Sequence, residues 1–451
     1  MPTETIPSPQ GRLLLGHLPE FRPDPLACMS RWHRDFGDIV GFRLGLQRFY
    51  LLSHPDLAEQ VLVEQPDVFV KMYDPDKPKG LQLVLGQGLV TSTGALWQRQ
   101  RRLLQPVFQR RSVDTMRPQM AATGEQWIRR WQKLAPGGAE IDMAGEMMRL
   151  TLEVLTRTMF GTSVLHEADA IAPALDTCLR HAARTTMNPF TPPLWLPTPA
   201  NRQFNKALAI LDSVMYRIIE QRRKNSRGHD DLLERMLSAA DPETGAAMTV
   251  RQLRDEMLTI FTAGHETTAN LMTWTLYWLA RHPEIQDKAR AEAKAILNGS
   301  AATSGQPDRL VYTKAVLQES LRHRPPAGLV IRKLTRDARL QGHALPAGSL
   351  ALVSIFNIHH HPALWDRPET YDPERFIGKK MDKYHFLPFG IGSRFCIGNH
   401  FAMVETILLL SMLIRHFRFE LCTEQEPEIE MAVTVRPKGG LRLRVSPVPE
   451  S

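Results

Sequence analysis

Residues 251–281 contain no proline, and the stretch is long enough for a single helix spanning a whole domain. An apolar stripe runs along it through Leu253, Met257, Ile260, Gly264, Thr267 and Leu271, at helical steps of three and four. Two members break the stripe. Gly264 removes bulk and Thr267 inserts a hydroxyl. A glycine inside a helix costs about 0.5–1 kcal/mol relative to alanine, so an apolar face does not acquire one without reason. A threonine there can bond back to the carbonyl four residues earlier and bend the helix.

Around this stretch the chain reads as mainly α with small β-sheets, one domain over residues 1–451. Residues 39–53 read as a β-hairpin turning at Gly45, and from about residue 94 the chain is helical. Met143 to Phe160 forms a helix that Gly161 closes. Phe204, Leu208, Leu211, Met215 and Ile218 lie on one face of another. Residues 189–199 carry five prolines in eleven positions and make a stiff apolar loop. Short strands return at Ala351–Phe356 and Leu441–Val445. No long-period repeat or composition shift divides the chain.

The chemistry gathers at Phe389-Gly390-Ile391-Gly392-Ser393-Arg394-Phe395-Cys396-Ile397-Gly398, with an apolar helix after it from Phe401 to Leu413. Glycines let backbone amides approach one sulfur closely. A cysteine that ligates a metal or acts as a nucleophile must be a thiolate, and turn amides and a helix N-terminus compensate its charge. An inert buried cysteine is the alternative reading for a lone thiol. The other cysteines (Cys28, Cys178, Cys422) are far apart and form no C-x-x-C pair, so a disulfide framework is not expected.

With 43% hydrophobic and 23% charged residues, the composition is that of an ordinary soluble globular chain. The longest apolar run near the N-terminus, Leu13 to Gly16, is far shorter than a membrane span or a signal sequence. A cytoplasmic, bacterial, monomeric protein without a transmembrane anchor is expected. The net charge of +8 comes with no zinc knuckle or base-reading helix, so nucleic acid is not an expected partner. Arg99, Arg101, Arg102, Arg110 and Arg111 form the densest basic patch, either a solvated face or a dock for an acidic redox partner. His359-His360-His361 resembles a metal site, but consecutive helical residues point about 100° apart and cannot close on one ion.

The cysteine run resembles the haem-ligand loop of cytochromes P450, F-x-x-G-x-R-x-C-x-G, at every fixed position. Ala263-Gly264-His265-Glu266-Thr267-Thr268 resembles the family's [A/G]-G-x-[D/E]-T-[T/S] pattern, and the resemblance extends over about residues 10–446. It implies the cytochrome P450 fold, haem b bound through Cys396, and thiolate donation that favours O–O cleavage. Gly264 would make room for dioxygen on a kinked helix, Thr267 would hydrogen-bond the bound oxygen, and Glu266 would relay protons. His265 is read as a packed or solvent-facing residue.

Trp97 and Arg101 match the family's W-x-x-x-R helix. With Arg332 and Arg394 they would hold the haem propionates, while Phe389 and Gly398 frame the ligand. Glu319-x-x-Arg322 and the Pro373-Glu374-Arg375-Phe376 run imply a buried structural Glu319–Arg322–Arg375 network, with His323 the one local departure. Phe261, Ala263, Ala327, Leu329, Val330 and Val433 would line a pocket for a lipophilic molecule, with further segments at Met72–Val90, Phe190–Leu196 and Met431–Val433. The implied reaction is monooxygenation of a fatty acid, terpenoid or polyketide-type molecule. The chain after Cys396 leaves no room for a fused reductase, so NAD(P)H would act indirectly, through a ferredoxin or flavodoxin and its reductase. Alternatives are a peroxide-using or reductant-independent enzyme of the same fold, which tends to lose the acid–threonine pair, and a haem-based sensor, for which no output domain is visible.

Overall fold

The computed structural model describes residues 6–448, apart from 135, 188–190, 226–229, 240–244, 246, 298–306, 379–380 and 383. The helices that build the site are, in chain order, α1 (Gly94–Leu104), α2 (Met143–Phe160), α3 (Ala168–Met187), α4 (Pro199–Lys224), α5 (Val250–Arg281), α6 (Val311–His323) and α7 (Asn399–His416). The strands that frame it are β1 (Ile39–Leu44), β2 (Gln47–Leu52), β3 (Phe69–Val70), β4 (Leu329–Leu334), β5 (Leu350–Ser354), β6 (Ile429–Met431) and β7 (Val435–Pro437).

The proline-free stretch is α5. Thr249 starts it with a reciprocal cap: its Oγ1 accepts from Gln252 N–H at 3.2 Å, and the Gln252 side chain accepts from Thr249 N–H at 2.8 Å. It ends at His282, ahead of Pro283. Nearly every residue from Leu253 to Ala280 is buried, except around Ala263, Gly264 and Thr267. Its most extensive contact is with α2, which ends at Gly161 in the left-handed conformation (φ 58°). Helices α3 and α4 pack on each other, and α4 also reaches α5. The largest core cluster runs through these helices and α7.

The five-stranded sheet has the order β1-β2-β5-β4-β3, with β2 and β5 parallel and the other pairs antiparallel. Both faces are buried. Phe49, Leu51, Leu350 and Leu352 join one core cluster, and Tyr50, Leu52, Ala351 and Val353 join another. Burial on both sides is why Leu350–Ser354 reads as an unbroken apolar run.

The predicted hairpin turns at Gly45 (φ 60°) as expected. The predicted strand 351–356 stops sooner, because the Ser354 side chain accepts from Asn357 N–H and caps the short helix Ile355–His359. The last strand is Arg442–Pro447, paired with both Ala139–Asp142 and Phe417–Leu421. Residues 191–198 are non-helical, as the prolines dictate, but Pro199 opens α4, where a first-turn proline loses no bond; Pro189 and Phe190 lie outside the described residues. Among the described residues no helix is long and apolar enough to cross a membrane, and all four cysteines are free.

Candidate active site

The cysteine loop folds on itself before the rest of the protein holds it. Cys396 N–H donates to Phe389 O at 3.0 Å, Phe395 N–H to Gly392 O at 3.1 Å, and Gly390 N–H to Leu387 O at 3.0 Å. Gly390 and Gly392 have φ of 71° and 73°. A β-carbon on Gly392 would lie 2.2 Å from Leu62 O, so no other residue fits there without moving the backbone. Helix α7 begins at Asn399, three residues after the thiol. Burial pushes the Cys396 thiol upward, against the Gly398 amide and the Arg101 charge, which favour the thiolate.

Cys396 lines a cavity of about 340 Å³ whose remaining wall is mostly apolar. Helix α5 contributes Thr259, Ile260, Ala263, Gly264, Thr267, Thr268 and Leu271. The opposite elements contribute Pro326, Ala327, Val330 and Ile355, and the segment before α1 contributes Leu89 and Val90. Two acids at the start of α5 hold that last segment: Asp255 accepts from Gln87 N–H at 2.9 Å and Glu256 from Leu89 N–H at 3.0 Å.

Of the six residues expected to line the pocket, Ala263, Ala327 and Val330 do so. Phe261, Leu329 and Val433 lie outside the lining. Phe261 is fully buried against the His265 ring, and Leu329 and Val433 pack against core clusters. Spacing placed Phe261 on α5, but its side of the helix faces protein, whereas Ile260 and Ala263 on the same turn face the cavity. Leu329 sits one residue before Val330 in β4 and so points to the other face of the sheet.

Trp97, Arg101, Arg332, Phe389, Arg394 and Gly398 all border the cavity. Arg394 lies over the Trp97 ring, 3.8 Å from its centroid, and donates to Ser92 O at 3.1 Å. Arg101 donates to Phe395 O at 3.0 Å and Arg332 to Ile331 O at 2.9 Å. A fourth cation, Lys71, was absent from the sequence reading; it follows β3 and borders the same cavity. Among the described residues none of the four makes a salt bridge to a carboxylate. Burial lowers Arg332 and Arg394 to about 10, with Arg332 and Arg101 adding to the effect on Arg394. Burial, then Arg332 and Arg394, lowers Lys71 to about 7.

Desolvating unpaired cations costs several kcal/mol each. A guest with two carboxylates would offset that cost, and a transition-metal cation such as iron would take the thiolate as a ligand. The donor set therefore fits the haem b that the sequence implies.

On α5, Thr267 and Thr268 donate back to Ala263 O and Gly264 O, each at 2.8 Å. A β-carbon on Gly264 would meet Leu155 Cδ1 of α2 at 2.8 Å, so the missing side chain also admits a neighbouring helix. Glu266 is buried and stands off the cavity wall. Its Oε1 accepts from Thr434 Oγ1 at 2.6 Å, and Thr434 Oγ1 accepts from Asn270 Nδ2 at 3.1 Å. Burial raises the Glu266 carboxyl, with Thr434 and then Arg436 opposing the shift. His265 is buried, with its Nδ1 on Phe261 O and its affinity for a proton lowered to about 4 by burial.

In the structural network Glu319 and Arg322 are fully buried and Arg375 lies at its edge. Glu319 receives Arg322 Nε at 2.8 Å and Arg375 Nε at 3.0 Å. His323 fits beside it, bonding Thr370 O at 3.2 Å and packing on Trp278. The three histidines diverge: His359 Nε2 accepts from Leu387 N–H, His360 Nδ1 meets Phe356 O, and His361 Nε2 meets Asp38. His33 bonds the same Asp38 oxygen at 3.0 Å. His361 Nδ1 accepts from Ala363 N–H, which puts its proton on Nε2 and makes the group a hydrogen-bonded clasp.

The cytochrome P450 family model matches residues 6–444. Cyclooctatin synthase of Streptomyces melanosporofaciens is 34% identical, with 98% of this chain and 95% of the relative covered. Cyclooctat-9-en-7-ol 5-monooxygenase of the same organism is also 34% identical, over 92% and 90%. Pentalenene oxygenase of Streptomyces avermitilis is 31% identical, over 96% and 95%.

Proposed function

The chain belongs to the cytochrome P450 family, and on that premise we propose that its substrate is a terpenoid-type, largely apolar molecule. The protein is a haem-thiolate monooxygenase that places one oxygen atom of O2 in a lipophilic molecule, with NAD(P)H electrons arriving through a redox partner. The names of three relatives, cyclooctatin synthase, cyclooctat-9-en-7-ol 5-monooxygenase and pentalenene oxygenase, motivate the terpenoid reading. The apolar wall supports it.

Haem b supplies redox-active iron when bound, with thiolate donation favouring O–O cleavage. Cys396 would hold the iron, and Arg101, Arg332, Arg394 and Lys71 would take the two carboxylates. Gly398 N–H and the start of α7 hold negative charge on Sγ. Leu89, Val90, Ala263, Ala327 and Val330 exclude water and orient the organic molecule by shape. Thr267 Oγ1, its proton directed to Ala263 O, offers an acceptor lone pair at the wall. Glu266, kept protonated to higher pH than a free carboxyl, stores a proton one residue away. Electrons come from a ferredoxin or flavodoxin with its reductase, which docks on the basic patch of Arg99, Arg101, Arg102, Arg110 and Arg111, where Arg101 bonds Phe395 O of the cysteine loop at 3.0 Å. The enzyme acts as a monomer in the cytoplasm.

One observation carries the reading: a thiol and four cations without carboxylate partners share one apolar cavity. The reduced, CO-bound protein is expected to show the red-shifted thiolate Soret band, and Cys396→Ala to lose it. Absence of that band from the wild-type protein would overturn haem-thiolate ligation. Titration with terpenoid alkenes and alcohols is expected to shift the iron spin state. A shift with long-chain fatty acids alone would replace the proposed substrate class.

A further inference from the structure

Glu266 is the buried acid of the site, yet no residue of its own helix bonds its carboxyl. The partner is Thr434, in the turn between β6 and β7, with Asn270 bonded to the same hydroxyl. The chain of bonds has a direction. Asn270 Nδ2 donates to Thr434 Oγ1, and Thr434 Oγ1 donates to Glu266 Oε1. Its one proton committed to Glu266, Thr434 offers only an acceptor to Asn270.

A ring of ion pairs anchors that turn. Arg180 Nε meets Asp176 Oδ2 at 2.9 Å, and Arg180 Nη2 meets Glu430 Oε2 at 3.0 Å. Arg436 Nε meets Glu430 Oε2 at 3.2 Å, and Arg436 Nη2 closes the ring on Asp176. Asp176 and Arg180 belong to α3, Glu430 to β6 and Arg436 to β7. The ring therefore binds both strands of the hairpin to α3. On the hairpin's other side, Val435 N–H donates to Pro326 O at 2.9 Å, and Pro326 is part of the cavity wall.

We propose that Thr434 is a positioning residue for Glu266: it fixes where the carboxyl sits and sets the pH at which it holds its proton, and the Asp176–Arg180–Glu430–Arg436 ring keeps it in place. The inference rests on the monooxygenase reading, in which Glu266 supplies protons. Besides Thr434, the groups that act on Glu266 are Arg436, whose charge favours the carboxylate, and Asp176, whose charge opposes it. A hydroxyl donated to Oε1 stabilises the carboxylate over the acid. Its loss moves Glu266 further upward.

The test is a pH titration of the Glu266 carboxyl stretch by infrared difference spectroscopy on the ferric holoenzyme, with the band assigned by Glu266→Gln. Thr434→Val is expected to raise the midpoint by about one pH unit, a tenfold change, and Thr434→Ser to restore it. Arg180→Ala, which opens the ring and leaves Thr434 intact, should broaden the band. The pH profile of product formed per NAD(P)H consumed should move with the midpoint. An unchanged midpoint in Thr434→Val, or an equal shift in Thr434→Ser, overturns the proposal. The CO-bound spectrum, recorded for each variant, separates that result from a failure of haem-thiolate ligation.

Discussion

Glu319 and Glu256 are both buried carboxyl groups, and they shift in opposite directions because only Glu319 has cationic partners that outweigh burial. Burial would raise Glu319, but bonds from Arg322 and His323 outweigh it and hold the group down to about 2. Its stabilisation is complete above the ordinary glutamate range and is lost as pH falls through about 2. Glu319→Gln leaves Arg322 buried without its counter-charge, at an expected cost of about 3–5 kcal/mol by denaturant unfolding of the holoprotein. Glu256 has one backbone donor, Leu89 N–H, and burial pushes it up to about 8. Its contribution is present below its unfolded value and lost as pH rises through about 8. The wild-type protein should lose thermal stability over that window, and Glu256→Gln should flatten the loss. The motif made Glu319 legible, because an i, i+3 pair is a local pattern. Nothing local marked Glu256, whose partner lies 167 residues away.

At the scale of elements, α5 and α2 meet where Gly264 faces Leu155. A β-carbon at 264 would meet Leu155 Cδ1 at 2.8 Å, a contact that the end of a flexible side chain can partly relieve. Gly264→Ala should cost about 1–3 kcal/mol. Combining it with Leu155→Ala should recover part of the loss, with a coupling above about 0.5 kcal/mol in a double-mutant cycle of unfolding energies. Unperturbed stability in Gly264→Ala would mean that the helices separate at no cost. The span of α5 was legible because no proline interrupts residues 251–281, within a residue of the helix found. The face it turns to the cavity was legible only in part: Ala263, Gly264 and Thr267 reach the cavity and Phe261 does not, since neighbouring helices decide which side is covered.

Over the whole molecule, the four cations come from four separate places: Lys71 after β3, Arg101 on α1, Arg332 on β4 and Arg394 in the cysteine loop. No short segment could gather them, and packing must hold them together against their repulsion. Arg332→Ala should leave the CO-bound band in place while speeding haem transfer to an apo-globin by about 10- to 100-fold, one decade per 1.4 kcal/mol. Lys71→Met should act in the same direction with a smaller effect. An Arg332→Ala protein that kept its haem as long as wild type would remove that arginine from the carboxylate site.

By itself the sequence determined the reactive groups and the segments that carry them. A glycine-framed thiol, a proline-free helix and an E-x-x-R pair are short-range patterns, and their geometry follows from residues within a few positions. The tertiary structure decided which of these atoms share a space. It set Glu266 off the cavity wall and gave it Thr434, 168 residues distant. It added Lys71 to the arginines, and it turned Phe261, Leu329 and Val433 into packing. Which way a side chain faces depends on what covers the opposite side of its element, and here that cover comes from segments far away in the chain.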